Sequence, residues 1–190
     1  MASDRTPPAP LVVLLDANLL YPFHLRNLLI QLGVERLFDV RWTEAIHEEW
    51  IGNLVADGRA SRQRLMRTLG VMRRVLPGAD VRGYEHRIAG LVLPDAWDRH
   101  VLAAAIESDA SVLLTFNLAD FPNASLAAHG IVVRDPDDFL YEMHANDPEA
   151  VEAAMDVARR NLRITTPAMG EFIDILERQR LVSFAACLRK

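Results

Sequence analysis

Five polar residues at the ends of apolar segments carry the chemistry legible in this chain: Asp16, Glu49, Asp98, Asn117 and Asp120. Asp16 follows Leu11-Val12-Val13-Leu14-Leu15, a short Val- and Leu-rich run of the kind that forms a strand buried on both faces. Asn117 and Asp120 follow a second such run, Val112-Leu113-Leu114-Thr115. In open α/β sheets the working crevice lies beyond the carboxyl ends of the strands. If these strands are central and parallel, several carboxylates converge at one rim. Two like charges about 4 Å apart repel by roughly 4 kcal/mol at an effective dielectric of 20. Such repulsion raises carboxyl pKa values, and a divalent cation relieves it. An oxygen-only donor set without Cys suits Mg²⁺ or Mn²⁺ rather than Zn²⁺. In phosphodiester hydrolysis such metals activate water and stabilise the attacking and leaving oxygens. Glu48 competes with Glu49 for the position on the helix. Asp16, Asp95 and Asp98 also have an ordinary reading as helix-start residues, through capping and the helix dipole.

The elements that must position these groups follow from periodicity. Tyr21 to Leu32 carries Leu25, Leu28, Leu29 and Leu32 at helical spacing, with Gly33 as a stop. Leu37 to Arg41 reads as a short strand. Thr43 caps a helix with Ile46, Trp50 and Leu54 on one face, ended by Gly58. Arg59 to Val75 reads as a basic helix, and the segment from Asp80 as a short strand and then a helix through Ile88. Pro94 breaks the chain, Asp95 is placed to cap, and Val101 to Ile106 continues as an apolar helix whose Ala103-Ala104-Ala105 permits close packing on a sheet. Ile131-Val132-Val133 gives a further strand. Asp135-Pro136 opens a helix with Pro at its first position. Alternating strands and helices predict a mostly parallel sheet in an α/β fold.

After Met143 the pattern turns wholly helical. One helix starts at Asp147-Pro148 and another at Thr166-Pro167. The organisation expected is a tail over residues 1–10, a domain over 11–144 and a two-helix C-terminal appendage over 145–190. Met169, Phe172, Ile173 and Leu176 form an apolar stripe too short to stand alone in water. It must cover its own domain, a second copy in a homodimer, or another protein. Docking on its own domain is expected.

The 190 residues, 51% hydrophobic and 25% charged, fit an ordinary globular protein. No apolar run approaches a membrane span, and the N-terminus lacks a signal-peptide core. A single Cys187 makes no internal disulfide, which agrees with a cytoplasmic location. The net charge of −5 does not announce a nucleic-acid binder, but its distribution is uneven. From Arg59 to Arg87 there are eight Arg against only Asp80 and Glu85. A basic arm beside an acidic centre is one way to hold a polyanion over a metal; a solvated helix face is the ordinary alternative.

Taken in order, Leu-Leu-Asp-Ala-Asn at 14–18, Glu49 before an apolar residue, Asp-Arg-His-Val-Leu-Ala-Ala-Ala from Asp98, and Thr-Phe-Asn-Leu-Ala-Asp-Phe-Pro from Thr115 resemble the PIN-domain nucleases, in particular the VapC-like ribonuclease toxins of bacterial toxin–antitoxin pairs. The resemblance covers roughly residues 11 to 140. It implies a three-layer α/β/α fold and a Mg²⁺- or Mn²⁺-dependent endoribonuclease, with RNA as substrate and a cognate antitoxin as partner. Asp16, Glu49 and Asp98 match the family's first three acids. Glu49 is preferred to Glu48 because the family's acid directly precedes an apolar residue, here Trp50. Many members have an acid where Asn117 stands, so Asn117 would ligate through its amide or through water, helped by Asp120. Asp16, Glu49, Asp98 and Asp120 are thus the expected catalytic set, and the same four with Asn117 the metal set. Asn18, Arg26, Arg64, Arg67, Arg99 and Thr115 are expected at the substrate, Thr115 by orienting metal-bound water. Two other readings compete: a PIN-fold RNA-processing or flap-cleaving nuclease without antitoxin, and a non-catalytic RNA-binding module, which Asn117 would favour. A haloacid-dehalogenase-type phosphotransferase also begins with a strand and Asp, but needs a second Asp where Asn18 stands.

Overall fold

The computed structural model describes residues 11–162 and 166–189. The expected tail over 1–10 lies outside the described residues. Four strands, β1 (Val12–Leu15), β2 (Asp39–Arg41), β3 (Val112–Leu114) and β4 (Val132–Arg134), form one sheet of order β2-β1-β3-β4. Every pairing is parallel, with Val13 opposite both Val40 and Val112, and Leu15 opposite Leu114. Val13, Leu14, Leu15, Leu113 and Leu114 have no exposed surface, so the two central strands are covered on both faces, as parallel sheets require. The α/β architecture agrees with a PIN-like three-layer fold.

The helices are α1 (Ala17–Leu20), α2 (Phe23–Val34), α3 (Glu44–Ala56), α4 (Arg62–Val75), α5 (Glu85–Ile88), α6 (Arg99–Glu107), α7 (Asn123–Ala127), α8 (Pro136–Asn146), α9 (Pro148–Arg160), α10 (Met169–Arg178) and α11 (Val182–Cys187). Among the described residues no helix is long and apolar enough to cross a membrane. The leucine stripe of α2 and the three alanines of α6 are fully buried, and α6 packs on β1 and β3. Thr43 caps α3 by accepting from the Ile46 amide at 3.1 Å. Gly58, at φ 63°, closes that helix in a Schellman motif, its amide donating to Val55 O and that of Arg59 to Leu54 O.

Four local expectations are corrected. Gly33 does not stop α2, which continues to Val34; a Cβ on Gly33 would stand 2.5 Å from Val40 Cγ2, so glycine here allows α2 to approach β2. The basic helix begins at Arg62, not Arg59, because Ser61 is its cap and accepts from the Arg64 amide. The strand expected near Asp80 is one bridge with Trp42. The C-terminal region holds three helices, not two, since α10 stops at Arg178 and α11 follows.

The C-terminal helices share the main core. Val151, Ala154, Met155, Phe172, Ile173, Leu176 and Phe184 are buried in the same apolar cluster as the sheet. α9 and α10 pack on α2, and α8 packs on α9 and α11. Polar groups lock these contacts by serving helix ends that lack their own caps. Pro22 offers α2 no side-chain cap, and Gln179 Oε1 accepts from the Leu25 amide at 2.9 Å. Asp137 of α8 accepts from the Ser183 and Phe184 amides, both at 2.8 Å, at the start of α11. Phe172→Ala should therefore cost the isolated protein about 3–5 kcal/mol in urea unfolding. Unchanged stability with an altered oligomeric state would instead make the stripe an intermolecular surface.

Candidate active site

Asp16 stands where β1 ends, and only 6% of its surface is exposed. A buried carboxylate must be met by donors, and three are supplied. Oδ1 accepts from the Ala17 amide at 2.7 Å. Oδ2 accepts from Asn18 Nδ2 and from Thr115 Oγ1, both at 2.7 Å. Thr115 directly follows β3 beside it, because Leu15 pairs with Leu114 and the Asp16 amide donates to Leu114 O at 3.1 Å. Asn18 Nδ2 also reaches Thr115 Oγ1 at 2.8 Å, and its Oδ1 accepts from the Phe116 amide at 3.2 Å. The Asn117 amide donates to Thr115 Oγ1 at 3.0 Å. Asn18 and Thr115 thus hold Asp16 and the loop that follows β3.

The other acids come from three different elements. Glu49 projects from α3 beside the buried Trp50. Asp98 sits immediately before α6. Asp120 ends a short 3-10 turn, Leu118–Asp120, after β3. Burial pushes the Glu49 carboxyl up to about 7, helped by the charges of Asp16 and Asp98. Burial pushes Asp98 up to about 6, helped by Asp16, Asp120 and Asp95. Asp16 is also raised, first by burial, with the Thr115 and Ala17 hydrogen bonds opposing and the Asp120 charge adding. Glu49 keeps much of its surface open, so water screens part of that penalty.

Glu48 and Glu49 point to different neighbours. Glu48 takes Arg62 in an exposed ion pair at 2.5 Å, whereas Glu49 lies within electrostatic reach of the acids. Asp95 does not cap the Ala-rich helix, which starts at Arg99; its Oδ1 accepts from the Trp97 amide at 2.8 Å and closes a turn ahead of Asp98. Asp98 occupies the cap position but makes no capping bond, so helix capping does not account for its carboxylate.

The residues expected at the substrate divide. Arg64 and Arg67 are exposed on α4, and Arg64 borders a cleft with Arg59, Tyr21 and Thr68. Arg99 is half-buried, its Nε donating to Ala96 O at 2.9 Å. Arg26 turns inward and is 5% exposed; its guanidinium donates to Leu20 O and lies 4.6 Å from the centroid of the Trp50 ring. Asn117 is exposed beside the rim. One contributor was not legible in the sequence: Arg180, between α10 and α11, places its guanidinium 4.3 Å from the centroid of the Phe116 ring. It has φ 73°, a backbone conformation no residue pattern advertises.

Among the described residues no three His, Cys, Asp or Glu side chains are set as a ready metal cage. The donor chemistry nevertheless fits a hard cation: the acids are oxygen donors, the charges of Asp16 and Asp98 help raise Glu49 and those of Asp16 and Asp120 help raise Asp98, and Mg²⁺ characteristically keeps several waters and takes only one or two carboxylates.

One comparison with known proteins bears on the C-terminal part. Residues 136–190 match the family model described as the VapC50 C-terminal domain. A Mycobacterium tuberculosis protein named "Putative ribonuclease VapC50" is 43% identical over 58 residues, 30% of this chain and 34% of that protein. The match therefore spans about a third of the length of that relative. No solved structure matches the chain.

The raised carboxyls have a measurable consequence. A carboxyl whose folded pKa lies above its unfolded value binds more protons when folded, so stability falls as pH rises from the unfolded to the folded pKa. In EDTA, Tm should fall from about pH 4 to pH 7, the window set by Glu49 and Asp98. Glu49→Gln with Asp98→Asn should flatten that slope in thermal melts; an unchanged slope would mean that the two carboxylates are not penalised. With the all-parallel sheet, the family-model match and the 58-residue segment of 43% identity support the resemblance of this chain to VapC-like PIN-domain proteins.

Proposed function

We propose that this chain is a Mg²⁺- or Mn²⁺-dependent endoribonuclease, the toxin of a toxin–antitoxin pair, acting in the cytoplasm. The observation that carries this reading is the gathering of Asp16, Glu49, Asp98 and Asp120, from four elements, within electrostatic reach at the carboxyl edge of a parallel sheet. The printed name of the VapC50 relative supports RNA as the polymer, and the VapC-like resemblance supports an antitoxin partner.

Asp16, Glu49, Asp98 and Asp120 would surround the cation, one or two of them ligating it directly and the others through its waters, with Asn117 at its edge. When bound, the metal supplies charge neutralisation at the scissile phosphate and lowers the pKa of a water nucleophile. Asp16 is the fixed member, since its three donors leave its carboxylate no freedom to rotate. Glu49 and Asp98 are the adjustable members, each standing on its own element without a hydrogen bond to Asp16. Arg59, Arg64 and Arg67, exposed along and just before α4, attract the phosphate backbone.

Asp98→Asn is the cleanest test, because the side chain makes no capping bond and Asn is well tolerated at a helix start. Cleavage of single-stranded RNA should require Mg²⁺ or Mn²⁺, stop in EDTA, and fall by at least about 100-fold in Asp98→Asn, since even outer-shell losses at metal sites cost 10–100-fold. RNA that is bound but left intact with and without divalent cation would make the protein a binding module instead.

A further inference from the structure

Trp97 is 84% exposed, whereas the other two tryptophans, Trp42 and Trp50, are fully buried. Large aromatic side chains normally repay their size by burial, and this indole lies outside the core. It does not stand on a loose backbone. The Asp95 carboxylate holds the Trp97 amide at 2.8 Å, and α6 begins two residues later. The indole lines a cleft of about 870 Å³ together with Tyr84, Ile88 and His100, and the cleft also takes in Glu49 and Arg99. His100 Nδ1, in that wall, is buried with no hydrogen-bond partner among the described residues.

We infer that Trp97 is the stacking platform for an unpaired nucleobase of the single-stranded RNA whose backbone crosses the acid rim. The choice of ligand rests on the nuclease reading above; the cleft itself does not. Three observations favour a base. The cleft shares Glu49 with the rim, and Trp97 directly precedes Asp98, so a nucleotide with its phosphate at the acids has its base within reach of the indole. Arg99 places a cation in the same cleft, its Nε anchored on Ala96 O, as a phosphate next to a stacked base requires. A flat aromatic face accepts any base but needs the base unstacked from its neighbours, which a duplex does not offer.

Because the other two indoles are buried, Trp97 is the tryptophan that a solvent-borne quencher reaches. Full-length Asp98→Asn protein, which should not cut, would be titrated with a short oligouridylate, a ribose-phosphate strand of equal length without bases, and a blunt RNA duplex of that length. Intrinsic fluorescence should be quenched by the oligouridylate and not by the abasic strand or the duplex. Adding Trp97→Ala should weaken oligouridylate binding, followed by anisotropy of a labelled strand, by about tenfold. Trp97→Phe should keep it within about threefold, because a ring face remains. Equal quenching by the abasic strand, or unchanged affinity in Trp97→Ala, overturns the platform and leaves the indole to a protein partner. The two readings fail separately: quenching by oligouridylate with no cleavage by wild type retains the platform and removes the nuclease, whereas cleavage with unchanged Trp97→Ala affinity does the reverse.

Discussion

The structure depends on how one buried carboxylate is satisfied. Asp16 cannot sit at the end of a central strand without donors, because an unpaired ionised group in that position costs several kcal/mol. Its donors come from the next peptide, from Asn18 and from Thr115 on the neighbouring strand. Each hydrogen bond to a charged group contributes about 1.5–3 kcal/mol, so the three offset part of the penalty, and burial still leaves the Asp16 carboxyl raised. The arrangement works only if β1 and β3 are adjacent, parallel and in the register that sets Leu15 against Leu114. The same two side chains then take the Phe116 and Asn117 amides, which fixes the loop that leads to Asp120. Sheet register and site geometry are one constraint. Asp16→Asn is for this reason a less clean probe than Asp98→Asn, since an Asn amide would face one of three donors with a donor of its own.

Around that fixed point the charges are kept apart. Glu48 is drawn to Arg62, and Glu44 and Asp80 to Arg73, on the flank where α3 meets α4. Glu49, one residue from Glu48, makes no ion pair among the described residues and lies within reach of the charges of Asp16 and Asp98. The C-terminal helices contribute from the opposite end of the chain. They complete the core over α2, cap that helix through Gln179, and bring Arg180 onto Phe116 in the loop after β3. The segment that matches the VapC50 C-terminal domain is therefore structurally continuous with the sheet domain and touches the site's supporting loop.

What the sequence made legible was what local periodicity controls. The unbroken apolar runs of β1 and β3, the leucine spacing of α2, the alanines of α6 and the Thr43 and Gly58 signals of α3 all predict their elements. Asp16, Asn117 and Asp120 were legible because they follow such runs, and Glu49 and Asp98 because the resemblance places acids at their positions. What was not legible depends on neighbours distant in the chain. Gly33 resembles a stop until β2 is seen to press on it. Arg26 resembles a phosphate contact until its guanidinium is found between Leu20 O and Trp50. Asp95 has the residue type of a cap, but the turn it closes lies one step ahead of the helix. α11 has six residues and no cap of its own, and depends on Asp137 of α8. Trp97 carried a signal that could have been used, since it is a large aromatic outside every apolar repeat and beside a candidate ligand.

The central claim is that the repulsion among Asp16, Glu49, Asp98 and Asp120 exists to be relieved by a divalent cation. Titration of metal-free protein with Mn²⁺, followed by the loss of the free-ion electron paramagnetic resonance signal, tests it directly and without any RNA. Wild type should bind Mn²⁺ saturably, and Asp98→Asn should bind at least about tenfold more weakly with no loss of fold stability. Wild type that leaves the free-ion signal undiminished, or a variant that binds as tightly as wild type, would contradict the account.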